Sequence, residues 1–423
     1  MIPLNLPCRA CSLSCSSLQT APRNRLVSLT SQSARQSLCS LRGLPRRSFF
    51  HSTPRLSSSP RISYKVAVSS SGKGRRFHPI KNAYDFDPSL HDALGVLPDN
   101  EDPIARRNAR PDSGEDAFFV SKVGRDNTQA NGDAIAFAVA DGVGGWTESR
   151  VDPADFSHAL CSYMASSALS WSSPAEKLRA KQLLQMGYDR VVEDNSVRAG
   201  GSTASVGVGL DDGRIELANL GDSGSVLLRL AAVHHYSAPQ THGFNTPYQL
   251  SIIPPRMRSQ ASLFGGAFLE DFPRDAAVTN VNMQHGDVLV LATDGVFDNL
   301  NNQDILRAVT DRMVVTGAWT AMPNVGIGVS DSLTSLTGPD GLAPLISKSA
   351  PARSVTEDKA PTLQAVLAAS LASDAKMASL DYRRDGPFAK EAQRYYPLDY
   401  YRGGKVDDIA VLVVVAVEEG RDG

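Results

Sequence analysis

Residues 134–146 read Ala-Ile-Ala-Phe-Ala-Val-Ala-Asp-Gly-Val-Gly-Gly-Trp. An apolar run this short, carrying the β-branched Ile135 and Val139 and the aromatic Phe137, has the length of a strand, and it stops at an aspartate followed by glycine. The arrangement recurs at residues 287–298, where Asp-Val-Leu-Val-Leu-Ala-Thr leads into Asp-Gly-Val-Phe-Asp. It appears reversed at Asp407 and Asp408, which open the apolar run Ile409 to Val417, and Glu115 and Asp116 stand directly before Ala117-Phe118-Phe119-Val120. Other strand-sized segments cover 203–210, 214–220 and 225–230. Asp212-Gly213 between two of them is a tight hairpin signal, so part of the sheet is antiparallel.

Helical signals separate these strands. Asp152-Pro153 caps a stretch with Phe156, Leu160, Tyr163 and Met164 at helical spacing. Ser173-Pro174-Ala175-Glu176 reads as a capping box opening a second helix through Leu178, Leu183, Leu184 and Tyr188. Further helices are expected over 302–314 and 362–380. Two helices inserted into a largely antiparallel array, with more near the end, indicate an α+β layered fold and not a strictly alternating parallel sheet.

Of the 423 residues, 42% are hydrophobic and 21% charged, enough apolar material for one large domain or two modest ones. The net charge of -2 is the sum of opposites: the first 84 residues hold 14 Lys or Arg and no acid, leaving 29 basic against 45 acidic residues in the remainder. An acidic body argues against a nucleic-acid binder. No apolar run nears the roughly 18 residues of a bilayer-spanning helix. Cys161 stands alone in the body, the other four cysteines lying in the basic leader, which suits a reducing compartment.

Residues 1–56, rich in Arg and Ser and free of acids, read as a mitochondrial transit peptide: a basic amphipathic segment drawn toward a negative matrix. Arg46-Arg47-Ser48-Phe49-Phe50-His51-Ser52 resembles a matrix processing signal, with cleavage after Ser48 and removal of an octapeptide ending at Leu56. Residues 57–109 carry few element signals and are expected to be an extended approach segment. Residues 316–360, dominated by Gly, Ala, Ser, Thr and Pro, read as a low-complexity insertion or long surface loop.

Any single Asp-Gly corner is most simply a solvated turn. Several such carboxylates at neighbouring strand ends repel one another unless protonated or neutralised, and hard divalent ions such as Mg²⁺ or Mn²⁺ are the economical counterions for carboxylate and carbonyl oxygens.

In chain order, Glu115-Asp116, Asp141-Gly142-Val143-Gly144-Gly145, Gly201-Ser202-Thr203-Ala204, Asn219-Leu220-Gly221-Asp222-Ser223, Thr293-Asp294-Gly295-Val296-Phe297-Asp298 and Asp407-Asp408-Ile409 resemble the successive motifs of the protein phosphatase 2C family of metal-dependent Ser/Thr phosphatases. Asp152-Pro153-Ala154-Asp155-Phe156-Ser157 and residues 240–250 are similar to its mitochondrial, Ptc7-like branch. The resemblance spans 110–418 and implies an αββα sandwich of two mainly antiparallel sheets flanked by helices. It implies two Mg²⁺ or Mn²⁺ ions, with Asp141 bridging them, the Gly142 carbonyl on one, Asp294 and Asp407 completing the other, and Glu115 and Asp116 holding metal-bound waters. Two ions about 3.5–4 Å apart bring a water toward neutral pKa for in-line attack on a phosphoserine or phosphothreonine phosphorus.

Two positions depart from the wider family. Val143 stands where many relatives place a histidine that protonates the leaving oxygen, and Pro111 stands where the phosphate-binding arginine is usual, making the adjacent Arg110 the candidate. The resemblance implies phosphorylated proteins as partners, its mitochondrial branch pointing to metabolic targets, coenzyme Q biosynthesis proteins among them, while no residue of the chain itself identifies a substrate. A phosphoprotein-binding pseudophosphatase and a small phosphate ester hydrolase are the alternatives. Cys161 lacks the Cys-x5-Arg context of a cysteine phosphatase, and His234, His235 and His242 lack a recognised zinc spacing. N-terminal sequencing of the protein recovered from its native source should begin at Ser57; an intact Met1 contradicts the import reading.

Overall fold

Strand Ile135–Ala140 is buried at every position, as a continuous apolar strand covered on both faces must be. It pairs antiparallel with Ala117–Lys122 and with Ala204–Gly209. Arg214–Leu220 and Ala277–Asn282 extend this sheet at one edge, and the short Ala93–Leu94 closes the other. Gly213 turns the predicted hairpin with φ 88°, and a Cβ there would lie 2.5 Å from the Met283 carbonyl oxygen. The turn therefore needs glycine for both its backbone angle and its space.

The computed structural model describes residues 61–98, 100, 102–125, 133–149, 151–263, 268–323, 326–339, 341–343 and 360–420. The leader 1–56 and its processing site lie outside the described residues. A second six-stranded sheet runs, edge to edge, Ala232–Tyr236, Gly224–Arg229, Val288–Ala292, Ile409–Glu418, Ile62–Ser71 and Ala83–Phe86, all neighbours antiparallel. Side chains alternate across each strand, so each sheet has an inner and an outer apolar face. The inner faces meet in a core containing Phe118, Phe137, Leu289, Leu291, Leu412 and Val414. The outer face of the first sheet packs under helices Pro153–Leu169 and Ala180–Glu193, and that of the second under Asn302–Val315 and Leu363–Leu380. Helix, sheet, sheet and helix layers thus form the expected α+β sandwich.

Helix starts follow their caps. Asp152 accepts from the Ala154 N–H with Pro153 in the first turn, Asn301 makes a capping box with Asp304, and Thr362 accepts from the Ala365 N–H. The Ser173 box is the exception. Residues Ala175–Lys177 form only a 3₁₀ turn, and the helix begins at Ala180, whose N–H donates to the Glu216 carboxylate at 2.9 Å. A neighbouring strand supplies the cap in place of the local sequence.

Two expectations need correction. The segment 57–109 is not merely an approach: Ile62–Ser71 lies inside the second sheet, paired along all ten residues with Ile409–Glu418. Its serines and Lys65 mask a strand buried by tertiary pairing. The 316–360 stretch is not only a surface loop either, since Trp319–Met322 and Gly326–Val329 form a hairpin and Trp319, Leu333, Leu336 and Leu342 join the core under the second sheet. Trp319 is anchored by its indole N–H donating to the Gly286 carbonyl at 3.1 Å.

A chain beginning at Ser57 should keep a single cooperative thermal transition by circular dichroism, whereas one beginning at Gly72 should lose it. Equal melting of the two would show that Ile62–Ser71 is dispensable.

Candidate active site

The acidic strand ends meet at one margin of the sandwich. Asp141 follows strand Ile135–Ala140, and its backbone is fixed by the Gly201-Ser202-Thr203 segment: its carbonyl accepts from the Ser202 hydroxyl at 2.8 Å and from the Thr203 N–H at 3.0 Å. The Gly142 N–H donates to the Glu115 carbonyl at 3.2 Å. A Cβ on Gly142 would stand 2.6 Å from that oxygen, so only glycine lets the two turns approach this closely.

Asp294 starts the helical turn Asp294–Phe297 that follows strand Val288–Ala292, and Asp298 ends it. Asn299 clamps this turn to the loop before the last strand: its amide donates to the carbonyls of Gly295 and Lys405, both at 2.8 Å, and its side-chain oxygen accepts from the Lys405 N–H at 2.9 Å. The Lys405 ammonium then reaches Asp294 and Asp298 at 2.6 Å and Asp407 at 3.1 Å. Asp407 is also 3.3 Å from the Lys73 ammonium.

Asp408 turns the other way. Its carboxylate accepts from the N–H groups of Lys73, at 2.5 Å, and Glu115, at 2.9 Å, tying three chain segments together. Asp116 is fixed by the Thr293 hydroxyl at 2.7 Å, and the same hydroxyl accepts from the Ala410 N–H at 3.0 Å. The second oxygen of Asp116, and one oxygen of Asp222, are buried without a hydrogen-bond partner.

Electrostatics follow from this crowding. Burial first, then Asp408 and Asp407, lifts the Glu115 carboxyl to about 7. Burial and then Asp294 lift Asp222 to about 7. Burial, followed by the neighbouring carboxylates, raises Asp141, Asp116 and Asp298 well above the ordinary range. Burial alone would lower the Lys405 ammonium, but Asp294, Asp298 and Asp407 outweigh it and hold the lysine charged. Carboxyls pushed upward by burial and like charge are relieved either by a proton or by a cation.

Asp141, Asp294, Asp407, Gly142, Glu115 and Asp116, all singled out from sequence, are thus brought to one place. Among the described residues, no three carboxylate, cysteine or histidine side chains close to a ready-made coordination shell; three carboxylates are gathered around Lys405 instead. The donor set still suits a divalent ion, because it is all hard oxygen, keeps orphaned buried carboxylate atoms and leaves Asp141 and Asp222 partly open.

Arg110 lines a cavity of about 490 Å³ with Glu115, Arg75 and Arg107. Its guanidinium bonds Asp152 at 3.1 Å and Asp155 at 2.5 Å, so it is held in place rather than solvated. Asp222, Asp298, Lys405, Lys73 and Asn299 were missed as site residues. Asp222 and Asp298 lay within quoted motifs, while nothing in the local sequence marked the two lysines beyond their closeness to a glycine loop and to Asp407.

Cys161 is buried in helix Pro153–Leu169 with its thiol pushed upward by burial. His158 is buried and pushed down to about 3 by burial and then Arg110. His242 bonds Asp271 at 3.0 Å and stacks on Tyr248. No helix among the described residues is long and apolar enough to cross a membrane.

The family profile described as Protein phosphatase 2C matches residues 113–324. The chain is 35% identical over 270 residues, 63% of its length and 75% of the relative's, to the Saccharomyces cerevisiae "Protein phosphatase 2C homolog 7, mitochondrial". It is 30% identical to the Schizosaccharomyces pombe "5-azacytidine resistance protein azr1", across 72% of this chain and 82% of that one. It is 37% identical to the human "Protein phosphatase PTC7 homolog", across 46% of this chain and 59% of that one.

The raised carboxyls set a pH dependence. Glu115 and Asp222 sit at about 7 when folded, against 4.5 and 3.8 ordinarily, so above pH 4.5 the folded state retains protons that the unfolded chain has lost. Stability without metal must then fall as pH rises through 7. The neutral His158 acts in the opposite sense, but only below its ordinary value of 6.5. The melting temperature in EDTA should therefore be lower at pH 8 than at pH 6.5, with Mn²⁺ removing the drop; a flat or rising profile in EDTA would refute the acidic-cluster account.

Proposed function

The chain belongs to the protein phosphatase 2C family, a metal-dependent protein serine/threonine phosphatase, and on that premise we propose a mitochondrial enzyme using two Mg²⁺ or Mn²⁺ ions to hydrolyse phosphoserine and phosphothreonine in proteins of the matrix. The observation that carries this reading is the convergence of Asp141, Asp294 and Asp407 with Asp222 and Asp298, whose mutual repulsion calls for positive charge. Mitochondrial residence rests on the acid-free basic leader and on the printed name of the yeast relative.

Asp141, the Gly142 carbonyl, Asp294 and Asp407 would hold the ions, and Glu115 and Asp116 would orient their waters. When bound, such ions supply a water acidified toward neutrality and neutralise the phosphoryl oxygens. The chain's own residues do the rest. Ser202 and Thr203 hold the Asp141 turn, Thr293 holds Asp116, and rigid placement of this kind is what lets charge act on a transition state without reorganisation. Arg110, fixed by Asp152 and Asp155 on the wall shared with Glu115, would bind the phosphoryl group. Val143 carries no transferable proton, so leaving-group protonation falls to another group.

Phosphate release from a phosphothreonine peptide by the full chain should require Mn²⁺ and stop in EDTA. Asp141→Asn, Asp294→Asn and Asp407→Asn should each lower kcat by about 100-fold or more, equivalent to roughly 2.7 kcal/mol; Asp141→Asn should also keep its metal-free stability, because it relieves crowding among like charges without breaking the Lys405 ion pairs. Activity surviving EDTA and Asp141→Asn would overturn the two-metal reading. Faster turnover of small phosphate esters than of the peptide would favour a small-molecule hydrolase.

A further inference from the structure

Lys405 is placed by more than its own side chain. Its backbone is bound on both sides by the buried Asn299, which also binds the turn carrying Asp294 and Asp298. The ammonium is thereby delivered to three carboxylates at 2.6, 2.6 and 3.1 Å, two of which are the proposed metal ligands Asp294 and Asp407. Phe388 presents its ring 5.0 Å from the same nitrogen, so a cation-binding aromatic face lies beside the carboxylates.

We propose that Lys405 is a tethered counter-cation that occupies the acidic cluster before metal enters, competes with the divalent ion for Asp294 and Asp407, and thereby sets the metal concentration at which the site loads. This inference rests on the metal reading of those two aspartates. An ammonium within hydrogen-bond distance of a carboxylate oxygen and a divalent ion on that oxygen repel steeply in a half-buried site, so one must yield as the other arrives. The competition is a coupling between two cations for one anionic site, and such couplings ordinarily span about 5- to 150-fold in affinity. The lysine also has a positive use: its single charge offsets part of the repulsion among Asp294, Asp298 and Asp407, which helps the metal-free chain fold without first capturing ions.

The test combines melting of the full chain in EDTA with Mn²⁺ titration calorimetry, neither of which reads catalysis. Lys405→Met should melt lower than wild type in EDTA, bind Mn²⁺ about tenfold more tightly, and recover wild-type stability in saturating Mn²⁺; Lys405→Arg, which keeps the charge, should keep the EDTA melting temperature. A Lys405→Met chain that folds only with Mn²⁺ supports the proposal, and one unfolded even in saturating Mn²⁺ overturns it, because the ion should replace the ammonium. Unchanged stability and affinity overturn it by making Lys405 a bystander, and weaker Mn²⁺ binding does so by making it a positioning residue for the ligands. Absence of Mn²⁺ binding in both wild type and Lys405→Met would instead remove the metal assignment on which the proposal stands.

Discussion

Like-charge repulsion among carboxylates is the constraint on which this structure turns. Asp116, Asp141, Asp222, Asp294, Asp298 and Asp407 arrive from five separate stretches of chain, and antiparallel pairing brings their strand ends to one margin. Left as anions in a half-buried setting they would drive the margin apart. Three remedies are available: protonation, which the raised carboxyls express; an internal cation, which Lys405 supplies; and divalent ions. The first two are built into the chain, and the third is the one to which the proposed function assigns the chemistry.

The hydrogen bonds around the cluster explain why it holds its shape. Thr293, at the end of a strand of the second sheet, binds Asp116, at the start of a strand of the first. Asp408 receives the N–H groups of Glu115 and Lys73, and a Cβ on Gly114 would collide with its carboxylate at 1.9 Å. The Thr293–Asp116 and Glu115–Asp408 bonds cross from one sheet to the other. The site is therefore a seam, and its geometry depends on the register between two sheets whose inner faces share a single apolar core.

Legibility in the sequence followed range. Apolar runs ending at Asp141 and Asp294 betrayed strands and acids at once, since period, length and an Asp-Gly corner are all local. The cap at Asp152 was local too. Ile62–Ser71 was not, because Ser69, Ser70 and Ser71 are buried by pairing with Ala410 and its neighbours rather than by their own character. Trp319 and Leu333 anchor a polar-looking stretch to the core through contacts with residues far away in sequence. Ala180 takes its cap from Glu216 on another element. Lys405 was silent for the same reason: an ammonium inserted among three carboxylates is a fact of folding, not of pattern.

The choice of lysine has its own physical sense. A guanidinium is a planar fork that matches one carboxylate in two parallel bonds. An ammonium is a compact charge with three donors, and here it meets three carboxylates, much as a small ion does. Its four-carbon stem also lets the charge swing away while the backbone stays bound to Asn299. A residue meant to seal the cluster permanently would be better built as a rigid fork; one meant to give way to a smaller, more highly charged cation is better built as a point charge on a flexible arm.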